Sequence, residues 1–178
     1  GKTGRAVART CYVRGADVTL VHDGDDVPYA DVRSVESAAE MRRATLEAVE
    51  DADALVSAAA ISDYTVEARD EKIRSGQESL TLELEPAPKL VDAVRDARPD
   101  LPVVGFKAET GADDDALVDA ARGILERVGM AFVVANDASV MAGDDTRALV
   151  VRADEVSEYA GHKDGLGACV ADELATEL

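Results

Sequence analysis

Hydrophobic and polar positions recur along this chain with two periods, and the switches between them mark out helices and strands. Residues 2–14 carry Ala6, Val7, Thr10, Cys11 and Val13 at helical spacing, and Gly15 ends the run. Residues 17–22 form a short β-branched segment that predicts a strand, followed by a polar loop with Gly24 and Pro28. Residues 31–35 predict a second strand. Ser37-Ala-Ala-Glu40 has the form of a capping box. A helix opening there turns Met41, Leu46 and Val49 toward a core and ends near Asp51. Residues 54–60 are apolar on both faces, the pattern of a strand inside a parallel sheet.

From 61 to 76 the pattern breaks into a charged, irregular stretch. Residues 79–85 then alternate with period two, which predicts a half-exposed strand stopped by Pro86 and Pro88. Helical spacing follows over 89–98, a buried strand over 101–106, and a helix over 113–128 whose early aspartates suit the positive end of its dipole. Strands over 131–135 and 147–151 and a closing helix over 164–178 complete the pattern. Strands alternating with helices predict an α/β domain with a mostly parallel sheet. With no repeat, low-complexity linker or internal boundary, 1–178 reads as a single domain.

Charge narrows the partners. The chain has 37 acidic and 19 basic residues, a net charge of −18, with the acids spread throughout. That balance argues against nucleic acid, whose phosphates need a basic patch. No apolar run approaches the ~20 residues of a membrane helix, and the N-terminus has no signal-peptide core, so a cytoplasmic protein off the membrane is expected. Only five basic residues are lysines: Lys2, Lys72, Lys89, Lys107 and Lys163. Such a surface repels itself in dilute buffer, whereas molar salt screens charge to ~3 Å. The composition is therefore halophile-like, the plainer alternative being an ordinary acidic protein. Cys11 and Cys169 match no metal spacing and are expected to be buried free thiols. His22 and His162 are isolated, which argues against a zinc site or a Cys–His nucleophile.

The candidate chemistry lies at segment ends. Gly1-Lys-Thr-Gly4 opens the first helix, where glycines let backbone N–H groups approach phosphate; a plain helix start reads the same way. His22-Asp23 at the end of the first strand imitates the acid of a dinucleotide fingerprint. Ser57-Ala-Ala-Ala-Ile-Ser-Asp63-Tyr64 follows a buried strand, in the place where open α/β sheets bind ligands, and Asp63 suits a hydroxyl, an amide or a metal. Lys72, in the irregular stretch, suits a phosphate or a developing oxyanion, or is simply solvated. Phe106 either stacks on a base or fills the core, and the Asn136 amide has the donor and acceptor to read a base edge.

Taken together, Gly1-Lys-Thr-Gly4, Ala59-Ala-Ile-Ser-Asp63-Tyr64, Glu71-Lys72-Ile73, Gly105-Phe-Lys-Ala-Glu-Thr110 and Val134-Ala-Asn-Asp137 resemble, in order and over the whole chain, the phosphopantothenate–cysteine ligases. The resemblance implies a Rossmann-like three-layer sandwich that forms a homodimer, with a protruding dimerisation hairpin around 72–85. It implies a two-step ligation in coenzyme A biosynthesis. The phosphopantothenate carboxylate attacks the α-phosphate of CTP and releases pyrophosphate; the amine of L-cysteine then displaces CMP. Mg²⁺ accompanies the nucleotide. FMN is implied only for a phosphopantothenoylcysteine decarboxylase domain to which such ligases are commonly fused, beyond this chain.

Carried over by position, Lys72 is the catalytic lysine. Gly1, Gly4, Asp63, Pro88, Lys89, Leu90, Phe106 and Asn136 bind nucleotide, and Ala59, Ala60 and Asp63 bind the acid substrate; the metal ligands are left unassigned. Three departures stand out. The family's strand and asparagine-bearing loop before Gly1 are lacking, so the chain reads as a fragment cut within its phosphate loop. Two lysines of bacterial members are replaced by Ile124 and Val128, with Arg122, Arg127 or Lys107 as candidate substitutes; Lys89 also stands where those members have aspartate. The basic run after the catalytic lysine shrinks to Ile73-Arg74. Two other readings remain open: an NAD(P)-binding oxidoreductase, which the missing G-x-G-x-x-G disfavours, and a non-catalytic dimerisation or binding fragment.

Overall fold

The computed structural model describes residues 1–66, 79–137 and 145–178. In chain order the elements are α1 (Lys2–Val13), β1 (Thr19–His22), β2 (Asp31–Ser34), α2 (Ala38–Ala48), β3 (Leu55–Ser57), β4 (Tyr64–Thr65), β5 (Glu85–Pro86), α3 (Leu90–Ala97), β6 (Val103–Glu109), α4 (Asp114–Val128), β7 (Phe132–Asp137), β8 (Asp145–Val151), β9 (Val156–His162) and α5 (Lys163–Ala175). The central sheet has the order β3-β6-β7-β8-β9. β3, β6 and β7 run parallel, and β8 and β9 return antiparallel. β1 and β2 form a separate parallel pair.

Alternation along the central strands builds two hydrophobic layers. Val103, Val133, Ala135, Leu149 and Val151 pack with Val49 after α2, Leu90 and Val94 of α3 and Leu117, Ala121 and Leu125 of α4. Val104, Phe132, Val134, Ala148 and Val150 pack on the other face with Val7 of α1 and Leu166, Val170 and Leu174 of α5. The result is helix–sheet–helix: the α/β class expected from the alternation of segments, in the three-layer arrangement that the family resemblance implied.

Local chemistry sets the helix ends. Ser37 caps α2, its Oγ accepting from the Glu40 N–H at 3.2 Å, while Glu40 reaches back to accept from the Glu36 N–H at 2.8 Å. Asp113 caps α4 by accepting from the Ala116 N–H at 2.9 Å, and Gly129 ends it at φ +70°, where a side chain would be strained. Two arginines of the α3 segment tie down the ends of neighbouring helices. Arg95 donates to the carbonyls of Val128 and Gly129 at the end of α4, at 2.9 and 2.8 Å. Arg98 donates to those of Val49 and Glu50 past α2, at 2.6 and 2.9 Å.

Four expectations change. Among the described residues the strand over 79–85 is reduced to Glu85–Pro86: Leu80, Leu82 and Leu84 are about half exposed, and no ladder joins 79–84 to another described strand. The segment over 54–60 contributes only Leu55–Ser57. Among the described residues this strand pairs with β6 alone, which leaves it half-buried. β9 is an addition; it is a polar, largely exposed edge strand with no apolar alternation to announce it. Cys11 and Cys169 are free but half-buried, and burial raises both thiol pKa values.

Candidate active site

The C-terminal ends of β3, β6 and β7 lie side by side, with Ser57 opposite Gly105, Phe106 opposite Val134 and Ala108 opposite Asn136. The glycine-bearing start of α1 meets this edge. Gly1 caps the helix, and a Cβ on Gly4 would lie 3.5 Å from the Ala58 Cβ, so the first turn of α1 rests against the segment after β3. Phe106 is half-buried against the α1/α5 layer, and alternation along β7 puts Asn136 on that same face. Ala59 and Ala60 are exposed just past β3.

A second cluster belongs to the α3/α4 side. The chain leaves β3, turns through Ser62, whose hydroxyl accepts from the Tyr64 N–H at 3.4 Å and donates to the Tyr64 carbonyl at 2.8 Å, and enters the short β4/β5 ladder. The Asp63 carbonyl accepts from the Ala87 N–H at 2.9 Å, drawing the Pro88-Lys89 turn onto Asp63. Lys89 is the N-cap residue of α3, and its ammonium donates to Asp63 Oδ1. This contact, and the Lys89 charge itself, hold the Asp63 carboxyl below its ordinary pKa; Lys107 adds a smaller push the same way. Leu90 is buried in the core, so that position has only backbone to offer.

Beyond Asn136, the Asp137 carboxylate accepts from the Gly111 N–H at 3.1 Å, joining the loop before α4 to the end of β7. Arg147 on β8 grips Asp114 with two contacts of 2.7 Å and Glu158 with contacts of 2.9 and 3.0 Å. Asp114, Asp137 and Arg147 border a small cavity of about 80 Å³ that Asn136 also lines. Arg147 carries no motif signal in the sequence, and its partners lie far away in it. Lys72 lies outside the described residues.

The structure thus splits the nucleotide candidates between two faces of one edge, with Gly4, Phe106 and Asn136 on one and Asp63, Pro88 and Lys89 on the other. Open α/β sheets generally bind ligands across such strand ends. Among the described residues no three His, Cys, Asp or Glu side chains gather around a metal position. Single exposed carboxylates such as Asp63 and Glu109 suit an ion that arrives on phosphate oxygens, which Mg²⁺ does with one or two protein carboxylates.

This is a Rossmann-like α/β domain with its polar groups at the strand ends. The same fold occurs in the DNA/pantothenate metabolism flavoprotein from Streptococcus pneumoniae, with a TM-score of 0.87 at 22% identity over 99% of this chain and 88% of that one. It also occurs in a Cab2 variant in complex with phosphopantothenate-cysteine, with a TM-score of 0.65 at 17% identity over 84% of this chain and 55% of that one. Residues 1–178 match the model of the DFP family, the DNA/pantothenate metabolism flavoprotein C-terminal domain, and the chain belongs to that family. It is 41% identical over 163 residues to the coenzyme A biosynthesis bifunctional protein CoaBC of Thermococcus kodakarensis, covering 86% of this chain and 39% of that protein. The chain spans about two fifths of the length of the curated relatives it matches.

Proposed function

We propose that this domain is a phosphopantothenate–cysteine ligase acting in coenzyme A biosynthesis, with CTP as co-substrate and Mg²⁺ accompanying the nucleotide. The observation that carries the reading is the family's ordered residue set meeting at one sheet edge: the glycine start of α1, Asp63 with Lys89, Phe106 and Asn136. Membership of the DFP family and the likeness to CoaBC support it, as does a fold neighbour that holds phosphopantothenate-cysteine.

The chemistry follows from charge. Joining a carboxylate to a nucleoside triphosphate brings anions together, and on a protein of net charge −18 that repulsion must be offset locally. Lys89, Lys107 and the α1 N–H groups supply positive potential at the edge, and Lys72 is assigned the oxyanion that develops at the α-phosphate. Mg²⁺ would contribute charge neutralisation on the phosphates. In the first step the acid oxygen bonds to phosphorus and pyrophosphate leaves. In the second the cysteine nitrogen bonds to the acyl carbon, loses its proton and expels the nucleoside monophosphate. Ala59 and Ala60 leave room for the pantothenate amides to approach backbone. The exposed Leu80, Leu82 and Leu84 support a homodimer that covers them. A cytoplasm rich in salt fits the acidic surface, and a fused or associated decarboxylase carrying FMN fits the length of the relatives.

The test is product formation in molar KCl with Mg²⁺, phosphopantothenate and cysteine, supplying CTP or ATP in parallel and reading the amide by mass spectrometry. Amide and pyrophosphate are expected in equal amounts, with CTP the better nucleotide. Lys72→Ala should lower pyrophosphate release by about 100-fold or more while leaving the oligomer intact. No amide with either nucleotide, together with thermal stabilisation by NADH or NADPH alone, would overturn the reading in favour of a dinucleotide-binding enzyme.

A further inference from the structure

Lysine is scarce here, and two of the five, Lys89 and Lys107, act on the same carboxylate at the sheet edge. Lys107 lies on β6 opposite Ala135 of β7, on the strand face that Val103 and Gly105 turn toward α3 and α4. Its side chain is 31% exposed, and Nζ sits 2.8 Å from Glu109 Oε1, two residues along the same face. A half-buried ammonium with one partner on its own strand is set in place before any ligand arrives, since its stem is held by the sheet.

Four arginines of this layer are committed elsewhere. Arg147 is enclosed by Asp114 and Glu158 through four contacts. Arg95 and Arg98 serve helix-end carbonyls. Arg127 holds both carboxylate oxygens of Asp92, at 2.6 and 2.7 Å. It also stands ~20 Å along α4 from Asp114, toward the opposite edge of the sheet, and Arg122 stands ~12 Å along, by the helix rise alone. Ile124 and Val128 point into the core. Of the candidates for a charge lost from α4, Lys107 is the one at the strand ends.

We propose that Lys107 is a second anion-binding lysine of this site, gripping phosphate oxygens together with Lys89. This rests on the ligase reading for its substrate. Two phosphate-bearing molecules meet that chemistry, the nucleoside triphosphate and the phosphorylated acid, and both carry oxyanions that outcompete a single exposed carboxylate for the ammonium. Glu109 then acts as the resting partner that Lys107 leaves when phosphate binds.

The experiment compares wild type with Lys107→Met and Lys107→Arg in the full-length protein, measuring KM separately for nucleotide and phosphopantothenate, with kcat and melting temperature alongside. Lys107→Met is expected to raise one of these KM values about tenfold, with the cysteine KM unchanged. Lys107→Arg should bring it back to within about threefold of wild type. A rise in the nucleotide KM assigns the triphosphate, and a rise in the phosphopantothenate KM assigns the acid's phosphate. Wild-type turnover with both KM values unmoved in Lys107→Met overturns the proposal and leaves the ligase reading standing. If wild type forms no amide, that reading fails, and calorimetric binding of inorganic tripolyphosphate still tests Lys107: affinity equal in wild type and Lys107→Met overturns it. Should Lys107→Met not fold, Glu109→Gln is expected to tighten tripolyphosphate binding, and unchanged or weaker binding counts against the proposal.

Discussion

Arg147 shows how much one side chain organises here. Its guanidinium fork meets Asp114, the first residue of α4, and Glu158 on β9, so three elements are fixed relative to the end of β7 where Asn136 sits. Both carboxyls are held below their ordinary pKa by its hydrogen bonds and charge, and the Arg147 pKa is itself raised. A depressed folded-state carboxyl stabilises fully above its unfolded pKa and loses that contribution as pH falls through the folded value. Wild type should therefore lose more stability than Arg147→Met between about pH 5 and pH 3. Urea unfolding across that range at low salt checks it; equal pH slopes would mean that the pairs contribute nothing measurable at this exposed site.

At the scale of elements, the contact of α1 with α5 decides whether the glycine turn reaches the site. A Cβ on Gly167 would stand 2.7 Å from the Ala6 carbonyl carbon and 2.8 Å from its oxygen, closer than any side chain tolerates. The two helices approach through that gap, with Arg9 paired to Asp164 and Arg14 to Asp172 along their flanks. Gly167→Ala is expected to destabilise by ~1–3 kcal/mol through overpacking and to weaken nucleotide binding as α1 shifts. Chemical denaturation and a nucleotide titration read the two effects. A variant as stable as wild type would show that the backbones part without cost. Gly105 is more forgiving, because its nearest neighbour is the flexible end of Met130.

For the molecule as a whole, surface charge and the exposed leucines govern behaviour in solution. A net charge of −18 spread over the surface is self-repulsive until screened. The melting temperature should rise steadily from about 0.1 M to molar KCl, in step with the fall in Debye length. Leu80, Leu82 and Leu84 lie together in sequence, and Tyr64 and Val66 are also exposed. Sedimentation in molar KCl is expected to find a dimer for wild type and a monomer for Leu82→Glu. A monomeric wild type at micromolar concentration would remove the dimer from the proposed function.

The sequence by itself determined the order of most elements, the alternation of helix and strand, the cap at Ser37 and the short residue runs that carry the family. These depend on local spacing, which is written into consecutive residues. Ser37-Ala-Ala-Glu40 was legible because a capping box spans four positions, and Asp63 because it follows an apolar strand. Only the tertiary structure decided the rest. The extent of β3 and of the segment over 79–85 depends on which strands stand beside them, and β9 exists because β8 offers an edge to a polar segment. The meeting of Asp63 with Lys89, of Lys107 with Glu109, and of Arg147 with Asp114 and Glu158 required the register of the sheet. Charge pairs between remote residues leave no periodic trace in the chain; they arise when the strands align and bring distant side chains to one edge.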